Sequence, residues 1–286
     1  MQGRGAVVIT GASTGIGEAS ATRLAAAGHL VFAGVRKQAD ADRLASASLP
    51  NLRPLMIDVA DSASIKAAAA DVEAAVGDAG IAGLVNNAGL SLGAPLEFQD
   101  MDEVRSMINV NVVGLIETTQ AFMPLIRRGG GRVVCISSIG GRVATPFVAV
   151  YSASKSAVTA LCHSLRLELR PWGIKVICIE PGSIATPIWD KGLEEFQAAM
   201  AKMPPEALEY YGPFTGRMQE ITKEIARRGI PASRVAEVVQ EALSAPRPRA
   251  RYLVGADAKA QSVVGRLPDR ARDELLARYI GIPTKS

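Results

Sequence analysis

Cysteine is scarce in this chain, with three among 286 residues. Cys135, Cys162 and Cys178 all lie in apolar segments, and their spacing matches no metal-binding motif. These features exclude a disulfide-stabilised scaffold and a cysteine-based metal site. We therefore expect a metal-free protein in which all three cysteines are small core residues. The same pattern predicts a reducing compartment, and we expect a cytoplasmic location.

Long hydrophobic runs and a strong charge of one sign are also missing. No apolar stretch reaches about 18 residues, which is the minimum for a membrane-spanning helix. The first apolar run, residues 5–10, leads directly into a glycine-rich loop, so we predict no secretory leader. The net charge is only +4, and the basic residues are scattered apart from a cluster at 247–251. We interpret that cluster as a solvated loop and expect no nucleic-acid partner, although a nucleic-acid patch is the alternative.

The sequence does contain a regular alternation of strand and helix patterns. The predicted strands are residues 5–10, 30–35, 52–57, 83–86, 132–137, 175–179 and 251–254. The predicted helices are residues 18–27, 39–47, 62–76, 101–127, 148–170 and 233–244, followed by a final helix that ends at 280. Continuous β-branched strands of this kind are typical of a parallel sheet that helices cover on both faces. A chain of this length with 48% hydrophobic residues can form one such domain with a large core.

A glycine-rich turn joins the first predicted strand to the first predicted helix. It begins at Thr10 and contains Gly11, Gly15 and Gly17. Glycines allow a tight turn and a close approach of a ligand to the backbone. The helix N-terminus adds free N–H groups and a positive dipole end, so the turn predicts a site for a dinucleotide pyrophosphate. A glycine-rich turn without a ligand is the alternative.

A tyrosine and a lysine are four residues apart in the predicted helix 148–170. Tyr151 and Lys155 therefore lie on one face of that helix. A cation about 4 Å from a phenol contributes roughly 4 kcal/mol at an effective dielectric near 20. This interaction would lower the pKa of Tyr151 from about 10 by roughly two to three, into the range of a general acid/base. An exposed tyrosine beside a solvated lysine is the alternative.

Together the two motifs resemble those of the short-chain dehydrogenase/reductase family. That family has a Thr-Gly-x-x-x-Gly-x-Gly cofactor loop and a Tyr-x-x-x-Lys active site, and the resemblance extends from about residue 4 to about residue 255. It implies an α/β fold with a Rossmann-type, doubly wound, mostly parallel seven-stranded sheet and helices on both faces. It implies a single domain over 1–286, with a substrate lid at about 187–230 and a C-terminal extension at about 256–286.

The resemblance also implies roles for two further polar residues. Ser138 matches the family's catalytic serine, which would hydrogen-bond the substrate oxygen, and its neighbour Ser137 is the alternative. Asn111 matches a helix-borne asparagine that holds a water between the active-site lysine and solvent. Lys155 is expected to bond the ribose of the nicotinamide as well. The implied catalytic residues are Asn111, Ser138, Tyr151 and Lys155.

The cofactor-binding residues implied by the resemblance follow the predicted strands, where ligands of open parallel sheets bind. Asp58 would contact the adenine, with a turn or helix cap as the alternative. The Ile184 backbone and the Thr186 hydroxyl would meet the nicotinamide carboxamide, with a plain Pro-Gly turn as the alternative. The full set is Gly11, Ser13, Thr14, Gly15, Ile16, Gly17, Arg36, Asp58, Val59, Asn87, Ala88, Gly89, Tyr151, Lys155, Pro181, Gly182, Ile184 and Thr186.

The end of the second strand favours NADP over NAD. Val35 stands where an NAD-dependent enzyme usually has an acidic residue, and Arg36 follows it. A guanidinium can bind the 2′-phosphate with two hydrogen bonds, whereas a carboxylate would repel it. The glycine loop lacks the basic residue that some NADP-dependent enzymes carry at the position of Thr14. NAD therefore remains possible.

The segment 189–228 is the part of the chain least like the family. It contains three methionines and the aromatic residues Trp189, Phe196, Tyr210, Tyr211 and Phe214. We expect these residues to wall an apolar substrate pocket, with ordinary helix packing as the alternative. The Val-Arg ending of the second strand and the Glu180-Pro-Gly sequence look most like the steroid and retinol dehydrogenase branch. We therefore expect NADP(H)-dependent interconversion of an alcohol and a carbonyl on a hydrophobic substrate such as a secondary alcohol or ketone. A retinoid-type primary alcohol remains open.

Three other functions are compatible with the same residues to different degrees. A 3-oxoacyl carrier-protein reductase would share every catalytic residue. A sugar-nucleotide epimerase is disfavoured by the glycine spacing and the chain length, and a non-catalytic NADP-binding regulator usually lacks the tyrosine or the lysine. The family usually dimerises through the helices that match 101–127 and 148–170, so we expect a homodimer or homotetramer.

Overall fold

The computed structural model describes residues 4–47, 49–186 and 188–282. Residues 1–3 and 283–286, at the two ends of the predicted domain, lie outside the described residues. So do position 48 and position 187, at which the predicted lid begins.

Strands and helices alternate along the chain, as the sequence predicts. The first half contains β1 (Arg4–Ile9), α1 (Gly15–Ala26), β2 (His29–Val35), α2 (Gln38–Ser46), β3 (Leu52–Met56), α3 (Ser62–Val76), β4 (Ile81–Asn86), α4 (Met101–Ile108), α5 (Gly114–Gly129) and β5 (Arg132–Ile136). The second half contains α6 (Ala149–Glu168), β6 (Lys175–Pro181), β7 (Ile184–Ala185), α7 (Ile188–Lys202), α8 (Pro205–Arg228), β8 (Ile230–Pro231), α9 (Ala232–Ser244), β9 (Arg251–Val254), α10 (Ala256–Val264) and α11 (Asp269–Ile280).

Seven strands of the described chain form one parallel sheet in the order β3-β2-β1-β4-β5-β6-β9. The chain moves outward from β1 to β3 and then returns to the other side of β1 with β4. Ile9, at the end of β1, is in register with Ala33 of β2 and with Val85 of β4. The carboxyl ends of these strands therefore meet at one edge, and the switch of direction between β1 and β4 leaves a crevice suited to a ligand.

Helices cover both faces of the sheet, which confirms the predicted doubly wound architecture. Alternate strand residues face opposite sides because side chains alternate along a strand. Val7 and Ile9 lie in one apolar core with residues of α1, α2 and α9. Val8 lies in the other core with residues of α3, α5 and α6. The predicted burial of the three cysteines is also confirmed, and each is a free thiol.

Two helix predictions were wrong in detail. The long predicted helix 101–127 is divided by one π-helical turn at Asn109–Val113. α1 begins at Gly15 rather than at 18. Glycine has a low intrinsic helix propensity, but tertiary contacts hold Gly17 in the first turn of the helix here. A Cβ on Gly17 would lie 2.2 Å from the carbonyl oxygen of Gly11, so glycine is required for this packing.

The segments around the predicted lid contain more regular structure than the sequence indicates. The region 189–228 forms α7 and α8, and β7 pairs with β8 through Ile184 and Ile230. These two-residue strands are too short to produce a periodic pattern. The predicted helix that ends at 280 consists of α10 and α11. Across the described ranges, no helix combines the length and the apolarity that crossing a bilayer requires.

Candidate active site

Tyr151 and Lys155 lie in the first turns of α6, where that helix passes the end of β5. Lys155 is buried, with 6% of its surface exposed, and its Nζ donates a hydrogen bond to the carbonyl of Ile136 at 3.0 Å. The same Nζ is 5.8 Å from the centre of the Tyr151 ring. Both side chains therefore occupy one pocket at the carboxyl edge of the sheet.

The predicted lowering of the Tyr151 pKa was wrong for this structure. Burial raises the pKa of Tyr151 above its ordinary value of 10.0, and a hydrogen bond with the Ser138 side chain opposes this rise. Burial also lowers the pKa of Lys155 to about 8, with smaller opposing effects from Cys178 and Cys135. The simple charge argument failed because desolvation is the largest influence on both groups and because the ammonium is directed at a backbone carbonyl. The phenol is consequently protonated at neutral pH.

The structure separates the two adjacent serines that the sequence left as alternatives. Ser138 is the one in contact with Tyr151, and its Oγ also accepts a hydrogen bond from the Gly140 N–H at 3.0 Å. Ser137 is buried and points to the other side, where its hydroxyl donates to the Lys155 carbonyl at 2.9 Å. Ser137 thus joins β5 to α6, while Ser138 faces the proposed site.

Asn111 lies in the π-helical turn and connects three segments of the site. Its Nδ2 donates to the Leu90 carbonyl and to the Ser154 hydroxyl, both at 2.9 Å, and its Oδ1 accepts from the Leu90 N–H at 2.7 Å. Ser154 in turn donates to the Tyr151 carbonyl at 2.7 Å. A Cβ placed on Gly89 would lie 3.3 Å from both Asn111 Oδ1 and Lys155 Nζ, so the asparagine and the lysine border the same space.

The glycine loop leaves an open helix N-terminus at this edge of the sheet. Gly11 and Gly15 have φ angles of +65° and +61°, a region in which residues with a Cβ are strained. Thr14 occupies the N-cap of α1 without making a side-chain cap hydrogen bond. By helix geometry the N–H groups of the first turn have no intrahelical acceptor, so they are available to an anionic ligand.

Asn87 and Thr10 fix the shape of this loop. Asn87 Nδ2 donates to the carbonyls of Thr10 and Gly11, both at 2.9 Å. The buried Thr10 hydroxyl accepts from the N–H groups of Asn87 and Ala88, at 3.0 and 3.1 Å. The amide of Asn87, predicted as a cofactor-lining group, is therefore used to join the loop to the end of β4. The sequence motif includes Thr10, but its role as the hydrogen-bond acceptor that joins β1 to β4 is visible only in the structure.

The residues predicted to bind the adenosine part of the cofactor follow two neighbouring strands, β2 and β3. Arg36 is exposed immediately after β2. Asp58 follows β3, and its Oδ1 accepts from the Ala60 N–H at 2.9 Å, so part of the carboxylate stabilises a turn. Val59 is buried, and Gly114 packs directly against its carbonyl.

The segment that follows β6 is anchored from several directions. The Ser183 N–H donates to Asp257 at 2.6 Å, and the Trp189 indole donates to the Ile184 carbonyl at 2.7 Å. A Cβ on Gly15 would lie 3.0 Å from the Thr186 methyl group, which places Thr186 against the glycine loop. Of the predicted residues in this segment, Thr186 therefore lies at the glycine loop, Gly182 packs against Asp257, and the Ile184 side chain is buried in the core.

An ionic cluster that the sequence analysis missed lies just before this segment. Glu180 is fully buried, and its Oε2 accepts from Arg142 Nε at 2.5 Å. Arg251 Nε lies 2.9 Å from Oε1 of Glu180, as a charge contact rather than an aligned hydrogen bond. Arg142 comes four residues after Ser138, so the cluster connects the serine loop to the segment after β6.

Four aromatic rings form a cluster around the loop that precedes α6. Phe147 contacts Phe196 of α7 and Tyr211 of α8, with ring centres 5.8 and 6.1 Å apart. Phe98 packs edge-on against Tyr211 at 6.0 Å, and the Tyr211 hydroxyl donates to Glu97 at 2.9 Å. Phe147 has a φ of +68°, which is unusual for a residue with a bulky side chain and is found most often at functional sites. Of the aromatic residues expected to wall a pocket, Phe196 and Tyr211 belong to this cluster, Tyr210 is exposed, and the Phe214 side chain lies outside the described residues.

Comparison with known proteins is consistent with this geometry. The profile of the short chain dehydrogenase family matches residues 5–196. The chain is 37% identical to short-chain dehydrogenase/reductase family 9C member 7 of Bos taurus, over 98% of this chain and 91% of that protein. It is 33% identical to the NADPH-dependent 3-dehydrocapnine reductase of Ornithobacterium rhinotracheale, over 94% of each chain. It is 36% identical to 17-beta-hydroxysteroid dehydrogenase type 6 of Bos taurus, over 95% of this chain and 87% of that protein.

Solved structures share both the fold and the extent of the chain. A short chain dehydrogenase from Burkholderia cenocepacia J2315 in complex with NADP is 28% identical, with a TM-score of 0.71 and coverage of 98% of both chains. A short chain dehydrogenase/reductase from Burkholderia phymatum in complex with NAD is 25% identical, with a TM-score of 0.77 and coverage of 99% of both chains.

Proposed function

Because the chain belongs to the short-chain dehydrogenase/reductase family, we propose that it uses NADP(H) to interconvert a hydrophobic alcohol and its carbonyl compound. The observation that carries this proposal is the contact between the Ser138 and Tyr151 side chains, next to the buried Lys155. These three groups lie at the sheet edge that also holds the open N-terminus of α1. Membership of the family makes the protein an NAD(P)-dependent oxidoreductase that acts on CH–OH donors.

In the proposed reaction the protein positions the reacting oxygen and moves one proton. Ser138 donates a hydrogen bond to the substrate oxygen and stabilises its developing negative charge. Tyr151 gives its phenolic proton to that oxygen during reduction and takes it back during oxidation. Lys155 and Asn111, which border the same space, form the route by which the phenol exchanges protons with solvent. A bound nicotinamide supplies or accepts the hydride.

The end of β2 favours NADP as the cofactor. Arg36 at the end of β2, with no acidic residue at Val35, suits a cofactor with a 2′-phosphate. The NADPH-dependent relative and the NADP-bound neighbour support the same choice, and the NAD-bound neighbour keeps NAD possible.

The aromatic cluster supports a hydrophobic substrate. Phe147, Phe196 and Tyr211 join α7 and α8 to the loop that connects Ser138 to Tyr151. Aromatic walls with a few fixed polar groups are typical of pockets for apolar small molecules. Similarity to a hydroxysteroid dehydrogenase favours steroid-like or other lipid-like alcohols and ketones. The lid at about 187–230 and the extension at about 256–286 are part of this proposal.

Replacing Tyr151 by phenylalanine tests the mechanism. We expect Tyr151→Phe to lose at least about 100-fold in kcat, because general acid–base catalysis typically contributes that much or more. The Kd for NADPH, measured by quenching of protein fluorescence, should remain within about twofold of wild type, since only a hydroxyl is removed. Tyr279→Phe is the control, because Tyr279 is 56% exposed on α11. Turnover of Tyr151→Phe at the wild-type rate would refute the proposed role.

The substrate class is tested by measuring wild-type turnover with NADPH and NADH on steroid, retinoid and 3-oxoacyl compounds in parallel. We expect the steroid-like or retinoid compounds to give the highest kcat/KM. A preference for 3-oxoacyl thioesters would instead identify a carrier-protein reductase. Binding of NADPH without turnover of any compound would indicate a non-catalytic regulator.

A cytoplasmic location is a further prediction, which the three free thiols support.

A further inference from the structure

Arg43 of α2 contacts the glycine loop, which lies 30 positions earlier in the sequence. Its Nη2 donates to the Ser13 carbonyl at 2.5 Å, and its Nη1 donates to Glu18 Oε1 at 2.5 Å. Ser13 immediately precedes Thr14, the loop position at which the chain lacks a basic side chain. A guanidinium is thus present at this corner of the loop, although it comes from a different element.

The same corner lies next to the end of β2. The Ala12 N–H donates to the Gly34 carbonyl at 2.8 Å, so the loop is joined directly to the last residues of that strand. Arg36 is exposed two residues beyond Gly34. In open dinucleotide-binding sheets the groups that distinguish a ribose 2′-hydroxyl from a 2′-phosphate lie at the end of this strand. Arg36 and Arg43 therefore approach this region from two sides.

The present partners of Arg43 leave it available to a phosphate. The side chain is 46% exposed and that of Glu18 is 35% exposed, so their ion pair is partly solvated and weak. A guanidinium has five N–H donors, and these two hydrogen bonds leave others for an incoming oxygen. A phosphate dianion is a stronger partner than one exposed carboxylate because it accepts charge-assisted bonds on several oxygens.

We propose that Arg43 is a residue that determines cofactor specificity, supplying from α2 the second cation for the 2′-phosphate of NADP(H). It replaces the basic residue that the glycine loop lacks at Thr14 and acts together with Arg36. This inference rests on the proposed function, since it concerns the cofactor of the same site. The competing explanation is that Arg43 only braces the loop, which would affect both cofactors equally.

The test measures binding rather than turnover. The Kd values of NADPH and NADH are determined by calorimetry for the wild type, Arg43→Gln, Arg43→Lys, Arg36→Gln and the control Arg23→Gln. Arg23 lies on α1 with a similar exposure of 41%, and it contacts Gln240 of α9 rather than the loop. The adenosine fragments 2′,5′-ADP and 5′-AMP are titrated in parallel, because they differ in the 2′-phosphate alone.

We expect Arg43→Gln to raise the Kd for NADPH and for 2′,5′-ADP roughly tenfold or more, because a charge-assisted contact is lost. The Kd for NADH and for 5′-AMP should stay within about twofold of the wild-type value. Arg43→Lys should bind NADPH with an intermediate Kd, and Arg23→Gln should bind it like the wild type. Equal weakening of both cofactors, or no change, would overturn the inference and leave the proposed function standing. A wild type that binds neither cofactor would instead refute the proposed function itself.

Discussion

At the scale of one residue, burial of Lys155 destabilises the folded state at neutral pH. Its pKa of about 8 is well below the value of about 10.4 expected for an unfolded chain. Between these values the unfolded state binds more protons than the folded state, so this residue makes stability increase as the pH rises. Below the folded pKa the fold must bury a charged ammonium, at an order-of-magnitude cost of about 3 kcal/mol.

Lys155→Met should therefore stabilise the cofactor-free protein at pH 7. We expect a net gain of about 2 kcal/mol, because the variant removes the buried charge but also loses the bond to the Ile136 carbonyl. Most of the gain should disappear as the pH approaches about 10, where the lysine of the folded protein is neutral and that of the unfolded chain begins to lose its charge. Urea unfolding at both pH values measures it, with the exposed Lys175→Met as the control. A variant that is no more stable than wild type at pH 7 would contradict this explanation.

At the scale of elements, Glu180 joins β6 to the loop after β5 and to β9. It lies at the end of β6 and pairs with Arg142, in the loop after β5, and with Arg251 of β9. Its carboxylate is fully buried, whereas the two arginine side chains are 23% and 31% exposed. Removal of this single negative charge would leave two guanidinium groups facing each other without a counter-ion.

Glu180→Gln should destabilise the fold by roughly 3 kcal/mol, the lower end of the range for a broken buried pair, because partial exposure lets the arginines recover some hydration. The midpoint of urea unfolding measures this change. Glu237→Gln is the matched control, since its carboxylate is 37% exposed and pairs with Arg23 and Arg234. We expect that control to change stability by less than about 1 kcal/mol. If the two variants were equally stable, the cluster would have no special structural role.

At the scale of the whole molecule, the predicted dimer face carries exposed apolar side chains. Leu167 of α6 is 70% exposed, and Trp172, a few residues further on, is 58% exposed. The Arg127 guanidinium, from the end of α5, lies 4.7 Å from the Trp172 ring. These groups are on the α4–α5 and α6 side of the domain, where the family resemblance predicts contact between subunits. We therefore propose that this face forms the subunit contact of a homodimer or homotetramer.

Leu167→Glu should disrupt that assembly. In an interface with twofold symmetry each substitution occurs twice, so the variant places two carboxylates in a surface that is predicted to be apolar. Light scattering after size-exclusion chromatography should give a dimer or tetramer for wild type and a lighter species for the variant. Leu275→Glu, on α11 with 47% exposure, should keep the wild-type mass. A monomeric wild type would contradict the predicted assembly.

The order of strands and helices, the glycine loop and the types of residue in the site can all be predicted from the sequence. These features are local: side-chain periodicity reports the period of each element, and the spacing of Tyr151 and Lys155 follows from helix geometry. The same local reasoning failed at Asn109–Val113, because the turn there is bound to residues that are distant in sequence, such as Leu90 and Ser154.

How these residues act on one another depends on the folded structure. It placed Ser138 rather than Ser137 beside Tyr151, directed Lys155 at the Ile136 carbonyl, and brought Arg43 to Ser13 across 30 positions. It also reversed the expected change in the Tyr151 pKa. The physical reason is that desolvation and long-range hydrogen bonds depend on what surrounds a group in space, whereas a sequence specifies only its neighbours along the chain.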